Sequence, residues 1–252
     1  MTQMQFYWTI GVGCWVALAV ITFIVLMGWR IAAPFGRHLR PGWGPTVNNS
    51  WGWFLMEMPS PVFLWWVFIM GQTADTLIWA YWPLTLWTVH YLNRFILFPI
   101  RLRNRKKRMP VLIVASAFLF NVVNGTLNGY FLAQGWFVHT WFFMVVGTCF
   151  FGIGMWINIS SDNRLLALRK PGDTRYQIPN GGLFRWLSSP NLVGEMIEWI
   201  GFFIAVPSWA SFSFGIWTLA NLLPRARDHH DWYLRTFPEY PTSRKVAVPY
   251  VW

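Results

Sequence analysis

Residues 7–30 read YWTIGVGCWVALAVITFIVLMGWR, and their only charged side chain is Arg30 at the end. At ~1.5 Å per residue, such a run spans the ~30 Å hydrocarbon core of a bilayer as one helix. Met1 to Tyr7 carries no charge, and no small-residue cleavage site follows. The run therefore reads as a retained membrane helix, not a secretory signal. Further apolar runs follow at 50–71, 76–99, 110–133, 137–159, 190–207 and 209–224, the last two short and divided by Pro207-Ser208.

The expected fold class is all-α, a polytopic membrane protein of seven transmembrane helices, or six if the last pair is one kinked element. Composition agrees. Hydrophobic residues make up 55% and charged residues 12%, with 20 tryptophans and 22 phenylalanines. A soluble domain carries about 25% charged residues, and aromatic richness suits helices with rings at both bilayer interfaces. We expect one membrane-embedded domain over 1–252, with no internal repeat. Cys14 and Cys149 fall inside apolar runs, so neither a disulfide framework nor a C-x-x-C site is expected.

The net charge of +11 is distributed unevenly. Arg37 and Arg40 follow the first run. Loop 101–109 holds Arg101, Arg103, Arg105, Lys106, Lys107 and Arg108. Loop 160–190 holds Arg164, Arg169, Lys170, Arg175 and Arg185. Tail 225–252 holds Arg225, Arg227, Arg235, Arg244 and Lys245, whereas the connections near 72–75, 134–136 and 207–208 hold no Lys or Arg. Positive loops stay in the cytoplasm, so the N-terminus is expected outside, the C-terminus inside and the span count odd. Anionic lipid headgroups and a phosphorylated cofactor are better partners for this charge than nucleic acid.

Polar groups at membrane depth are costly and mark candidate sites. Glu57 lies in the apolar run Trp51–Met70, and a lone carboxyl there must be neutral, paired or facing a wet cavity. Tyr91 and Arg94 share one face, as do His90 and Arg94, Asn158 and Asp162, and Arg225, His229 and Tyr233. Asn191, Glu195 and Glu198 form another stripe. Asn121, Asn124 and Asn128 also recur at helical spacing, where interhelical glue is the plainer explanation.

Several chemistries are excluded. Five histidines are too few and too scattered for a membrane di-iron oxygenase, and H-E-x-x-H is absent. Lys106, Lys107, Lys170 and Lys245 all lie outside the runs, leaving no lysine for a retinal Schiff base. Neither G-x-G-x-x-G nor a phosphate-binding G-x-x-x-x-G-K-[ST] loop occurs, so any dinucleotide must be held outside a Rossmann fold. Arginines on the basic loops suit a diphosphate and a 2′-phosphate. Asn, Asp and Glu near 158–162 and 191–198 suit ribose hydroxyls and a carboxamide. Composition alone does not select a dinucleotide over other phosphorylated ligands.

Residues 221–252, NLLPRARDHHDWYLRTFPEYPTSRKVAVPYVW, strongly resemble the C-terminus of the steroid 5α-reductase family, with R-A-x-x-H-H-x-x-Y-L followed by F-x-x-Y-P-x-S-R-K. Ile157–Pro190 adds N-I-x-S-D, L-R-K-P-G-D and Y-x-I-P-x-G-G-L-F. NLVGEMIEWIG at 191–201, FLMEMPS at 54–60, VHYLNR at 89–94 and NGTLNGYFL at 124–132 extend the likeness over most of residues 50–252.

The resemblance implies a seven-helix reductase that uses NADPH to reduce the Δ4 double bond of 3-oxo-Δ4-steroids, with hydride going to C5. Carried over, Glu57 and Tyr91 are the catalytic pair at the 3-oxo group, and Trp53 lines the steroid pocket. Arg94, Asn158, Asp162, Arg169, Tyr176, Asn191, Glu195, Arg225, His229 and Tyr233 hold the cofactor, with Asn104 a further match if the loop insertion precedes it. Gln177 and Asp228 depart from the family pattern, which touches phosphate contacts only. The same fold also serves enoyl-CoA, polyprenol and sterol reductases and a methyltransferase branch; a channel, carrier or lipid-binding protein is the non-enzymatic alternative. Steroid-like lipid and membrane lipids are the expected partners, without nucleic acid, metal or an obligate protein partner. The expected location is the inner membrane of a bacterium or the endoplasmic reticulum of a eukaryote, the active site opening to the cytoplasm.

Overall fold

The computed structural model describes residues 2–31, 33–73, 76, 78–102, 107–168 and 175–248. Arg169 and Asn104, both expected at the cofactor, lie outside the described residues, as do Arg103, Arg105, Lys106 and Lys170.

The chain is mostly helical: α1 (Gln3–Gly28), α2 (Asn49–Glu57), α3 (Pro59–Gly71), α4 (Tyr81–Leu92), α5 (Phe98–Arg101), α6 (Val111–Ala133), α7 (Trp141–Ala167), α8 (Pro190–Ala205) and α9 (Trp209–Thr236). Among the described residues, four segments are long and apolar enough to cross a membrane: Gln3–Gly28, Asn49–Gly71, Val111–Ala133 and Trp141–Ala167.

Several boundaries differ from expectation for local reasons. The run 50–71 is interrupted at Met58. Pro59 and Pro61 lack the amide hydrogens that would bond the carbonyls of Leu55 and Glu57. The run 76–99 contains a π-helical turn, Asn93–Leu97, between α4 and α5. The last helix passes through Pro224, which is buried inside it, and continues to Thr236. The first part of the tail is thus an extension of the final helix. The chain is also not wholly helical: Thr46–Asn48 and Arg108–Pro110 pair antiparallel, with Thr46 opposite Pro110 and Asn48 opposite Arg108. This two-stranded ribbon staples the basic segment at 107–110 to the start of α2.

Helices α7 and α8 form the most extensive helix pair. Gly147 and Gly154 on α7 face Gly201 and Gly194 on α8, and a Cβ at Gly194 would come within 2.5 Å of the Asn158 backbone nitrogen. Small residues allow this backbone approach, as in other membrane helix pairs. The result places Asn158 and Asp162 beside Asn191 and Glu195. Helices α3 and α6 meet similarly through Gly125 and Gly129, packed on Ser60 and Leu64.

Helix α1 sits against α9 with only Val12 and Ala19 buried. Trp15 donates to Asn124 Oδ1 (3.2 Å), and Arg227 donates to the terminal carbonyls of Met27 (2.7 Å) and Leu26 (3.1 Å). Those carbonyls lack helical partners, so the guanidinium caps the helix end. The tail is stitched to the loop before α8. Arg244 donates to Pro179 O (2.9 Å) and Asn180 Oδ1 (2.8 Å), and the Tyr240 hydroxyl donates to Ser188 Oγ (2.7 Å).

Candidate active site

Arg94 is the hub. It occupies the π-helical turn, a local widening often found at functional sites. Its guanidinium faces Glu195 at 3.6 Å, Asp162 at 3.8 Å and Glu57 at 4.0 Å, and stacks 4.6 Å from the Trp53 ring. These ion pairs are longer than direct hydrogen bonds. Arg94 Nε has no partner among the described residues although it is buried. One cation thus faces three carboxylates carried by α2, α7 and α8.

Glu57 and Tyr91 share no direct hydrogen bond; Asn121 of α6 bridges them. The Tyr91 hydroxyl donates to Asn121 Oδ1 (3.0 Å). Asn121 Nδ2 donates to the Met56 carbonyl (2.6 Å) and to Glu57 Oε2 (3.3 Å). Of the asparagine row, Asn121 and Asn124 therefore bond across helices, while the Asn128 amide donates within α6 to Asn124 O (3.1 Å).

Glu57, Tyr91, Arg94, Glu195, Trp53 and Arg225 all line one chamber of about 650 Å³. Its apolar walls are aromatic, with Phe120, Trp199, Phe214 and Trp217 prominent. A second, smaller cavity of about 210 Å³ collects Asp162, Tyr176, Asn191, Arg225 and His229. The two share Ala33, Phe35, Trp53, Asn221 and Arg225 on their walls, so they adjoin. Asn191 Nδ2 donates to Asp162 Oδ1 (2.9 Å), and Asn158 Nδ2 donates to the Asn191 carbonyl (2.9 Å). Asn158 thus supports the cavity without lining it. Tyr233 also lines neither space; it is buried, stacked on Tyr240 at 4.9 Å with Arg37 over its other side at 4.7 Å.

Four basic residues that sequence reading did not single out for the site line the smaller cavity: Arg37, His38, Lys107 and Arg108. Arg37 lies 4.9 Å over the Trp232 ring and 5.5 Å over Tyr176, and Lys107 donates to the Tyr176 hydroxyl (2.7 Å). His38 stacks on His229 at 5.7 Å. Burial, and then the charges of Arg37, Arg225, Arg235 and Arg40, pull the His38 pKa from 6.5 down to about 4. His90, visible in sequence only as a neighbour of Arg94, pairs with Glu198 (Nδ1 to Oε1, 2.8 Å) deep in the bundle. Only their basic type marked Arg37 and Lys107 beforehand, and nothing in the spacing paired residues 90 and 198.

This donor set suits a phosphorylated dinucleotide. Arg37, Lys107, Arg225 and His229 offer cations and N–H donors for phosphate. Asp162, Asn191 and Glu195 offer acceptors and amides for hydroxyls and a carboxamide. Arg94, whose buried Nε has no hydrogen-bond partner among the described residues, lines the chamber.

Comparison with known proteins agrees with the motifs. Residues 107–252 match the family model described as 3-oxo-5-alpha-steroid 4-dehydrogenase. Over 249 residues, covering 93% of each chain, the protein is 38% identical to steroid 5-alpha-reductase DET2 of Gossypium hirsutum. It is 38% identical to the Arabidopsis thaliana protein of the same name over 88% of each chain. Against 3-oxo-5-alpha-steroid 4-dehydrogenase 1 of Rattus norvegicus, identity is 36% over 92% of this chain and 91% of the relative.

Proposed function

The chain belongs to the 3-oxo-5-alpha-steroid 4-dehydrogenase family and is an oxidoreductase, and from that premise we propose that it uses NADPH to reduce the Δ4 double bond of 3-oxo-Δ4-steroids. The observation that carries the proposal is the adjacency of two unlike spaces. An aromatic chamber holding a carboxyl and a phenol shares Trp53, Phe35 and Arg225 with a cavity lined by basic side chains. A flat apolar substrate suits the first and a phosphorylated dinucleotide the second.

Arg37, Lys107, Arg225 and His229 would hold NADPH, which when bound would supply hydride to C5 of the enone, while C4 takes up a proton from water to complete the reduction. Reduction at C5 drives negative charge onto the 3-oxo oxygen, and a donor aimed at that oxygen stabilises it. Tyr91 is already a donor, since its hydroxyl is given to Asn121. Glu57 lies on the far side of Asn121 and sets the local charge against Arg94. Arg94 holds Asp162 and Glu195 near the junction of the two spaces. Aromatic walls exclude water while charge develops.

The reading also places the N-terminus outside, seven spans in the membrane and the cofactor cavity on the cytoplasmic side. Arg37, Lys107, Tyr176 and Arg225 come from four separate basic segments yet surround one cavity, which supports putting all four segments on one side. Single cysteines introduced in connection 134–136 and in the loop at 175–181 and labelled in sealed vesicles test that orientation.

The test of function is NADPH oxidation by the purified protein with progesterone or testosterone and identification of the product. The reading requires a 5α-reduced 3-oxosteroid. Nucleotide binding without steroid turnover would move the assignment to another lipid enone, and no nucleotide binding would remove NADPH as the reductant.

A further inference from the structure

Asn121 is 4% exposed and meets three groups from two other helices: Tyr91 of α4, and Met56 and Glu57 of α2. Its orientation is fixed by chemistry. The Met56 carbonyl can only accept, so the amide NH2 must face it at 2.6 Å. The same NH2 faces Glu57 Oε2, leaving Oδ1 as the atom that meets Tyr91. The phenol must then be the donor of that bond. The Met56 carbonyl lies beside the break at Met58, between Leu55 and Glu57, whose carbonyls have no helical donor in Pro59 and Pro61.

We propose that Asn121 is a positioning residue for the reduction: it holds the Tyr91 proton directed into the chamber until the substrate's 3-oxo oxygen replaces Asn121 Oδ1 as its acceptor. This inference rests on the proposed function and adds a residue to it. The exchange swaps one neutral hydrogen bond for another when substrate binds, so it costs little. It becomes favourable as negative charge grows on the substrate oxygen, because an oxyanion is a stronger acceptor than an amide carbonyl. The help therefore falls on the transition state more than on binding.

The test compares Asn121→Leu, branched alike and without hydrogen bonds, with Asn121→Asp, similar in shape and titratable, across pH 5–9. Turnover of a 3-oxo-Δ4-steroid and affinity for NADPH are measured together. Asn121→Leu is expected to lower kcat about 10- to 100-fold with NADPH affinity within about 2-fold of wild type, less than the ~100- to 1000-fold loss when a direct oxyanion donor is removed. Asn121→Asp should retain substantial activity at low pH, where its carboxyl is neutral and donates to Met56. It should lose activity as pH rises, because the new carboxylate repels Glu57 and accepts the phenol's hydrogen bond more strongly than the amide did, so the 3-oxo oxygen no longer displaces it. Wild-type kcat in the Leu variant, or an Asp variant whose profile parallels wild type, overturns the assignment. So does a kcat loss matched by an equal loss of NADPH affinity, the mark of general structural damage. If wild type itself turns over no steroid while binding NADPH, the functional reading fails and Asn121 falls with it, a pattern distinct from an active wild type with an indifferent variant.

Discussion

Helices α7 and α8 meet backbone to backbone along two pairs of glycines, whereas α1 buries only Val12 and Ala19 and is held by Trp15 and by Arg227 at its end. The first contact leaves no room for a side chain; the second leaves open space around Gly11 and Gly13. The difference follows what each region must hold. Asn158, Asp162, Asn191 and Glu195 project from the tight pair, and directional polar groups need a rigid base to be of use. Trp15 and Thr22 of α1 contribute wall to the aromatic chamber, where shape matters more than any single bond.

The largest effect is expected from breaking the tight pair. A Cβ at Gly154 would fall on the Glu198 backbone, so Gly154→Leu should cost more than the ~1–3 kcal/mol of ordinary overpacking and abolish folded yield in detergent. Gly13→Ala, with nothing within 4 Å of its Cβ, should leave the thermal midpoint within a few degrees of wild type. Equal losses in both would erase the contrast.

Next comes the hub that joins the two spaces. Arg94→Met leaves Glu57, Asp162 and Glu195 facing one another without their cation. Breaking buried pairs this way costs ~3–5 kcal/mol. Turnover should fall at least ~100-fold, and NADPH affinity should weaken as well, because Asp162 lines the smaller cavity. Assay and equilibrium binding on one preparation check both.

The smallest effect concerns His38. Its folded pKa of about 4 lies below its ordinary 6.5. Between those values the unfolded chain takes up the proton first, so this group's contribution to stability declines as pH falls from 6.5 toward 4 and is flat above. His38→Gln should make the thermal midpoint of the NADPH-free protein less sensitive to acid over that window. An unchanged slope would show that His38 is more solvated than the Arg37–Arg225 cluster implies.

Much of the fold was legible because lipid imposes long apolar runs. Runs 7–30 and 110–133 fall on α1 and α6 within a few residues. The break at Met58 and the π turn at Asn93–Leu97 were not read, although Pro59 and Pro61 were in plain view, because hydropathy does not register one missing backbone bond. The pairing of Thr46–Asn48 with Arg108–Pro110 joins segments too distant in sequence for a local pattern. Candidate residues were legible by type and motif, and the structure gathers Glu57, Tyr91, Arg94, Glu195 and Arg225 around one chamber. Which groups actually touch was not legible. Asn121 looked like helix glue, and Tyr240 and Arg244, conspicuous in the tail motif, serve to lock the tail onto 179–188.

The central claim is a division of labour between the chamber and the basic cavity. It is tested most directly by measuring NADPH affinity and steroid turnover in Glu57→Gln and Tyr91→Phe. The account predicts turnover reduced at least ~100-fold in each, with NADPH affinity within about 3-fold of wild type, since neither side chain lines the smaller cavity. Undiminished turnover in both variants, or a collapse of nucleotide affinity equal to the loss of rate, would contradict it.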